Sequence, residues 1–236
     1  MTEMLYMTDN YVKEFDAQVQ EAGDGYVILD RTAFYPLGGG QETDQGWLEL
    51  EGKKIFVKEV TKKDGVKHFL DGEVPPKGAK VHGIIDWDRR YAHMRMHTAQ
   101  HLISAVGARM YNLDTRGNQI HADRSRVDFY PAHFDDAGLK KLEDECNRVI
   151  AENHPIKIFE VPREEAKQKI ARVWRGYIDR VPPSVKILRM VEIDGVDCCM
   201  CAGTHISNTS EIGRIKILGK DNKGSDIERV TYTLEM

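Results

Sequence analysis

Two short segments of this chain each place a pair of metal-ligating side chains four residues apart. They are His97-Thr98-Ala99-Gln100-His101 and Cys201-Ala202-Gly203-Thr204-His205. On a helix, residues four positions apart lie on one face, one turn from each other. Together the pairs offer three imidazoles and one thiol, and a tetrahedral Zn²⁺ ion takes four such ligands. The sequence therefore predicts a fold that brings the two segments together around one zinc ion per chain, with these ligands: His97, His101, Cys201 and His205.

Other residues near these pairs compete for the same role. Cys198 and Cys199 also offer sulfur, and His93 lies one helical turn before the first pair. We favour Cys201 because it lies four residues from His205, whereas Cys198 lies seven residues away. His93 is more simply interpreted as a residue of a helix face near solvent. Imidazole and thiolate ligands favour zinc over magnesium or calcium, which prefer oxygen.

The same residues also permit other kinds of site. Zinc proteases of the His-Glu-x-x-His type place a glutamate base after the first histidine, but Thr98 stands there in this chain, which disfavours protease chemistry. A Cys-His nucleophile pair is a second alternative, weakened because the sequence identifies no Asn or Asp to orient the histidine. Four protein ligands are also the pattern of a structural zinc. An RNA-binding module with structural zinc and a small-molecule metallohydrolase therefore remain open.

Composition indicates a globular protein of the cytoplasm. The 236 residues carry a net charge of −4, and 41% of them are hydrophobic. No apolar run approaches the ~20 residues that a membrane helix needs, and the first seven residues lack the regions of a signal peptide. Three of the four cysteines lie between positions 198 and 201, which suits metal binding in a reduced compartment better than disulfides. The negative charge argues against a broadly basic nucleic-acid coat.

Residues 1–88 predict a small β-barrel. Short apolar strands recur at regular spacing between Gly and Asp turns, and we predict them at 26–29, 47–50, 54–60, 66–70 and 81–87. Gly38-Gly39-Gly40 within this region permits positive φ and exposes backbone N–H groups. The three glycines indicate either close contact with a phosphate or ribose, or a tight barrel corner. No Gly-Lys-Ser/Thr follows them, so they do not form a P-loop.

Residues 89–236 predict an α+β domain with a mostly antiparallel sheet. A long helix over residues 89–110, with Asp88 as a candidate cap, carries the first ligand pair and an apolar stripe. A second helix, capped by Asp135 or Asp136, has a stripe that includes Cys146, which we expect to be a buried apolar residue and not a ligand. The cysteine-rich segment is predicted to be a loop. Further strands are predicted at 120–130 as a hairpin, 156–161, 185–191, 215–218 and 230–234.

Both ligand pairs, together with Gly38-Gly39-Gly40-Gln41, resemble the editing region of alanyl-tRNA synthetases. A free-standing chain of this length is similar to the AlaX family of alanyl-tRNA editing proteins, and in particular to its medium-sized class. The similarity extends over nearly the whole chain. It includes Asp86-Trp87-Asp88-Arg89-Arg90 before the first pair and Ser210-Glu211-Ile212-Gly213 after the second. Ala202 departs from the family, in which glycine is usual.

The resemblance implies a zinc-dependent hydrolase that acts on mischarged tRNA(Ala), chiefly the seryl form, with the glycyl form as a second substrate. It matches His97, His101, Cys201 and His205 to the family's zinc ligands. It also places Thr115 where a hydroxyl could hydrogen-bond the seryl side chain. It also implies that Gly38, Gly39 and Gly40 contact or shape the acceptor end of the tRNA. No general base and no obligate protein partner are implied. Candidate phosphate contacts are Arg89, Arg90, Arg172, Arg175 and Lys216.

Overall fold

The computed structural model describes residues 2–170, 178 and 181–235 of the chain. Its backbone divides into two compact units, Met1–His93 and Met94–Met236. A boundary between folding domains at residues 88 and 89, which the sequence predicts, stays a prediction. Two of the candidate phosphate contacts, Arg172 and Arg175, lie outside the described residues.

Six strands of the first unit close into an antiparallel barrel, which confirms the fold class expected for this region. The strands described in this unit are β1 (Glu3–Met4), β2 (Glu14–Gly23), β3 (Tyr26–Leu29), β4 (Arg31–Thr32), β5 (Gly46–Leu50), β6 (Lys53–Thr61), β7 (Lys67–Asp71) and β8 (Lys80–Ile85). The barrel order is β2-β3-β7-β6-β5-β8. Strands β1 and β4 form a short parallel pair.

Strand β2 closes the barrel between β3 and β8 and is absent from the strands predicted from sequence. Its side chains alternate between exposed and buried from Glu14 to Gln20, with Phe15, Ala17 and Val19 buried in the barrel core. The positions between them are occupied by acidic and amide residues, which have low β-propensity and hide the strand from a search for apolar runs. Period-two alternation was the signal that could have found it.

A fully buried ion pair lies within the first unit. Arg90 and Asp44 both have side chains with no exposed surface. Nε of Arg90 donates to the two carboxylate oxygens over 3.0 and 2.9 Å, and Nη1 donates to the carbonyl oxygen of Asn10 over 3.0 Å. The carboxylate also accepts a hydrogen bond of 2.6 Å from the amide of Tyr35. Arg90 is therefore a structural cation and not the surface phosphate contact that the sequence suggested.

The second unit combines helices with antiparallel sheets, as expected. Helix α1 (Trp87–Tyr111) contains the boundary between the units, and a four-stranded sheet has the order β14-β15-β10-β9 while a three-stranded sheet has the order β11-β12-β13. The remaining elements are β9 (Asp114–Gln119), β10 (Ser125–Tyr130), α2 (Asp136–Ala151), β11 (Ile156–Pro162), α3 (Arg163–Lys169), β12 (Ile187–Ile193), β13 (Asp197–Met200), β14 (Arg214–Asn222) and β15 (Glu228–Glu235).

The helix caps explain where α1 and α2 begin. Oδ1 of Asp86 accepts a hydrogen bond of 3.2 Å from the backbone amide three residues later, so Asp86 caps α1 and the prediction of Asp88 was wrong. Of the two predicted candidates, Asp135 and not Asp136 caps α2, because its side chain accepts a hydrogen bond from the amide of Gly138 over 2.7 Å. Cys146 of α2 is fully buried, as its place in the apolar stripe predicts.

Helix α2 also covers the edge of the four-stranded sheet. The side chain of Asn147 exchanges two hydrogen bonds of 2.8 and 2.9 Å with the backbone of Ile215. Glu143 accepts a third, of 2.8 Å, from the amide of Ile217. These bonds replace the strand partner that β14 lacks on this side. None of the helices that the structure describes is long and apolar enough to cross a membrane.

Candidate metal centre

Helix α1 presents His97 and His101 on its buried side. The two ring centroids lie 5.1 Å apart, one helical turn from each other. The residues are only 2% and 4% exposed. Met94, Leu102 and Val106 of the same helix have no exposed surface. Both imidazoles therefore face the protein interior, where packing limits the orientations that the rings can adopt.

The second pair follows β13 and is held by an arginine of β12. Nη1 of Arg189 donates to the carbonyl oxygen of Cys201 over 2.6 Å and to that of Gly203 over 3.1 Å. The Gly203 amide in turn donates to Sγ of Cys201 over 3.3 Å. These hydrogen bonds fix the backbone turn that carries the thiol.

The two pairs meet within the second unit. Sγ of Cys201 lies 3.5 Å from Nε2 of His97 and 3.3 Å from Nε2 of His205. The ring centroid of His205 lies 4.4 Å from that of His97 and 4.7 Å from that of His101. One ligand atom from each of the four residues lies within 4.8 Å of all the others, so the four could hold one metal ion. Three imidazole nitrogens and one thiol are a donor set that fits Zn²⁺.

Thr98 determines which nitrogen of His205 faces the cluster. Oγ1 of Thr98 lies 3.1 Å from Nδ1 of His205 and 2.9 Å from the carbonyl oxygen of Met94. The hydroxyl donates its proton to that carbonyl, so toward the histidine it accepts a hydrogen bond from Nδ1–H. Nε2 of His205 then carries the lone pair, and this is the nitrogen next to Cys201.

Cys199 lies beside His101. Its Sγ is 3.0 Å from Nδ1 of His101, and a carboxylate oxygen of Asp197 is 3.8 Å from the same nitrogen. These three residues form a second group whose geometry could hold a cation. Cys198 and Cys199 belong to strand β13, so the prediction of a loop was wrong for this part of the segment. Cys201 contacts two of the histidines, which supports choosing it as the sulfur ligand.

Burial favours the neutral forms of His101 and His205. It lowers the pKa of His101 to about 4, and Arg189 acts in the same direction. Burial and the neighbouring histidines lower the pKa of His205 well below its usual range. Burial raises the pKa of the Cys201 thiol, partly offset by the hydrogen bond from Gly203. Neutral imidazoles offer lone pairs to a cation, and a coordinating thiol loses its proton when a cation binds.

Thr115 belongs to a buried hydrogen-bond network that was not predicted from the sequence. Its Oγ1 donates to Oγ of Ser104 over 2.8 Å, and Nε2 of Gln100 donates to the same oxygen over 2.7 Å. Nδ2 of Asn118 donates to Oε1 of Gln100 over 3.1 Å. Positions 97, 100, 101 and 104 are all polar and share one face of α1. That spacing was the available signal for a buried polar site.

The three glycines of the first unit form a tight turn. Gly38 and Gln41 exchange backbone hydrogen bonds of 3.2 and 2.9 Å. Between them, Gly39 and Gly40 are exposed and have φ values of +58° and +85°. A type I′ turn requires positive φ at both central positions, which glycine adopts without strain. This turn geometry matches the barrel-corner interpretation, and contact with tRNA stays a prediction.

Two family profiles match separate parts of the chain. Residues 3–89 match the family described as "tRNA synthetases class II (A)". Residues 188–231 match the "Threonyl and Alanyl tRNA synthetase second additional domain". The first match covers the barrel strands, and the second covers Cys201 and His205.

Several relatives are similar over the full length of the chain. It is 43% identical over 245 residues to the alanyl-tRNA editing protein AlaX-M of Methanosarcina barkeri, with 99% of each chain covered. It is 41% identical over 239 residues to AlaX-M of Saccharolobus solfataricus, with 100% of each covered. It is also 38% identical to the alanine–tRNA ligase of Thermococcus kodakarensis, of which it covers 25%. At these identities and coverages, the chain belongs to the AlaX family of alanyl-tRNA editing proteins.

Proposed function

We propose that this protein hydrolyses the ester bond of mischarged tRNA(Ala), chiefly seryl-tRNA(Ala), with glycyl-tRNA(Ala) as a second substrate. Its full-length relatives are named as alanyl-tRNA editing proteins. The observation that carries the proposal is one cluster of ligand atoms, from three buried histidines and the half-buried Cys201, assembled from both halves of the second unit. This cluster is suited to hold a metal ion, which would either polarise the ester carbonyl or position the amino acid. The cluster consists of His97, His101, Cys201 and His205.

Zinc is the metal that the donor set fits, at one ion per chain. A bound zinc ion supplies Lewis-acid polarisation of a carbonyl and lowers the pKa of a bound water to ~7. The chain's own residues prepare the ligands for it. Thr98 holds the lone pair of His205 toward Cys201, and Arg189 fixes the turn that carries the thiol.

Thr115 is the residue we propose for recognition of the seryl side chain. Serine differs from alanine by one hydroxyl group, so an editing site must derive its selectivity for serine over alanine from that group alone. A hydrogen bond between this hydroxyl and Oγ1 of Thr115 would form with serine and not with alanine, a difference of ~1–3 kcal/mol. The position of Thr115 beside a helix turn that also carries His101 supports this role.

The Gly38–Gly40 turn is proposed to contact or shape the acceptor end of the tRNA. Gly39→Ala tests this, because a Cβ at position 39 would lie 3.7 Å from the Tyr35 hydroxyl, an ordinary contact distance. The positive φ costs an alanine roughly 1 kcal/mol. We expect a folded variant with slower deacylation. A variant that folds and deacylates normally would show that the turn has only a structural role.

The decisive experiment measures serine release from seryl-tRNA(Ala), before and after chelation and after zinc is restored. We expect activity to disappear with the metal and to return with zinc, while alanyl-tRNA(Ala) is largely spared. Normal binding of tRNA without any serine release would instead favour an RNA-binding module with structural zinc. Hydrolysis of simple esters that tRNA does not inhibit would favour a small-molecule hydrolase. Full activity after complete metal loss would refute the zinc-dependent mechanism.

A further inference from the structure

The polar face of α1 continues beyond the metal ligands. Gln100 and Ser104 are 1% and 0% exposed, so their polar groups are buried as deeply as the histidines. Ser104 lies one turn after His101 and four residues after Gln100 on the same face. Burying polar side chains is costly unless they are hydrogen-bonded. The network that satisfies them therefore holds a defined geometry close to the proposed metal ligands.

A β-bulge positions the two residues that strand β9 contributes to this network, Thr115 and Asn118. In the pairing of β9 with β10, Thr115 lies opposite Phe129 and Gly117 lies opposite Asp128, so Arg116 is the extra residue. The bulge reverses the alternation of side chains, so that Thr115 and Asn118 point to the same side of the sheet although they are three positions apart. Without it, a regular strand would turn one of the two away from α1.

Each hydrogen bond in the network sets the direction of the next. Asn118 donates to Oε1 of Gln100, which leaves the amide nitrogen of Gln100 facing Ser104. Oγ of Ser104 accepts from that nitrogen and also from the hydroxyl of Thr115. Because the Thr115 proton is directed at Ser104, Thr115 can bond a further hydroxyl group only as a hydrogen-bond acceptor.

We propose that Ser104 is a positioning residue for amino-acid selection, which acts by fixing the Thr115 hydroxyl as a hydrogen-bond acceptor. This proposal rests on the proposed function, in which Thr115 contacts the seryl side chain. Gln100 and Asn118 hold Ser104 in place, and Ser104 itself does not touch the substrate. Losing Ser104 removes the partner that orients Thr115, so recognition of a side-chain hydroxyl weakens. Glycine has no side chain to recognise, so release of glycine does not depend on this contact.

The experiment compares kcat/KM for seryl-tRNA(Ala) and glycyl-tRNA(Ala) in the zinc-loaded wild type, Ser104→Ala, Thr115→Val and the double variant. We expect Ser104→Ala to lower the seryl value about tenfold, the size of one oriented hydrogen bond, and the glycyl value less than about twofold. The double variant should be no slower on the seryl substrate than Thr115→Val, because Ser104 acts through Thr115. Ser125→Ala is the matched control, a buried serine of β10 that bonds the backbone of His121.

An equal loss on both substrates, or additive effects in the double variant, would overturn the role of Ser104. If Ser104→Ala does not fold, Asn118→Ala replaces it as the test variant. Asn118 is only half-buried, and its loss removes the hydrogen bond that orients the Gln100 amide. It should lower the seryl-to-glycyl ratio in the same direction by a smaller factor, and an unchanged ratio would refute the proposal. A folded, zinc-loaded wild type that releases neither amino acid overturns the proposed function itself. A wild type that releases both amino acids, together with a Ser104→Ala variant that loses the same factor of kcat/KM on both substrates, overturns the positioning role alone.

Discussion

Oγ1 of Thr98 lies 3.1 Å from Nδ1 of His205, across 107 positions of sequence. Thr98 stands between the two histidines of α1, at the position that a protease of the His-Glu-x-x-His type gives to a glutamate base. In this chain the residue is buried, and its hydroxyl bonds the backbone of its own helix and the ring of a proposed ligand. It therefore serves to orient a histidine, which metal sites commonly require of a residue just outside the ligand set.

Thr98→Val is expected to weaken zinc binding by about 10- to 100-fold, the usual cost of losing such an orienting partner. Valine has nearly the same shape as threonine but cannot accept the hydrogen bond from Nδ1–H of His205. The tautomer with the lone pair on Nε2 would then lose its stabilisation. Competition with a chromophoric chelator measures the affinity. Thr98→Ser keeps the hydroxyl and should bind zinc nearly as the wild type does, and an equal loss in both variants would exclude the hydrogen bond as the cause.

Cys201→Ala and Cys199→Ala should differ clearly in zinc affinity. Sγ of Cys201 contacts two histidines of the cluster, so its loss should weaken binding by more than about 100-fold and stop deacylation as well. Cys199 contacts Nδ1 of His101 and should act only as an orienting neighbour, with a loss of about tenfold. Metal analysis after dialysis, with the same chelator competition, gives both values. The opposite order of the two variants would make Cys199 the sulfur ligand.

The sequence was most informative where spacing alone carries the signal. Two pairs at i and i+4 were enough to predict which residues the structure brings together. Helical geometry accounts for His97 and His101, whereas the pair in the non-helical segment 201–205 was found from the ligand preferences of zinc alone. The residues around them could not be found in this way. Whether Thr98 bonds His205, or Ser104 bonds Thr115, depends on contacts between elements far apart in sequence. The bulge at Arg116, which turns Thr115 and Asn118 to the same side, leaves no sign in composition or periodicity.

Arg90→Met should destabilise the first unit by about 3–5 kcal/mol, because it leaves the carboxylate of Asp44 buried without its cation. Urea unfolding followed by circular dichroism measures the change. Arg89→Met is the matched control on the next residue, since Arg89 pairs with Glu42 at 3.0 Å but both side chains are partly exposed. A partly exposed pair contributes less than about 1 kcal/mol. Similar losses of unfolding free energy in the two variants would show that burial does not increase the contribution of the Arg90–Asp44 pair to stability.

His68 should make the first unit sensitive to acid. It is fully buried, with Nε2 2.8 Å from the Thr32 hydroxyl and Nδ1 3.3 Å from the carbonyl oxygen of Val27. Burial lowers its pKa from 6.5 to about 4, partly opposed by its backbone hydrogen bonds. Between these two pH values the unfolded chain binds a proton that the folded chain does not. The free energy of unfolding must therefore fall as the pH falls through this range.

From pH 7 to pH 5, this difference in pKa lowers the stability of the wild type by about 2 kcal/mol. His68→Gln keeps a polar side chain that cannot take up a proton, so its stability should fall by about 2 kcal/mol less over the same interval. Urea unfolding of both proteins at the two pH values gives the comparison, and contributions from the other histidines cancel between them. The variant is expected to be less stable than the wild type at pH 7, which does not affect the comparison. Equal pH dependence in the two proteins would mean that folding does not lower the pKa of His68.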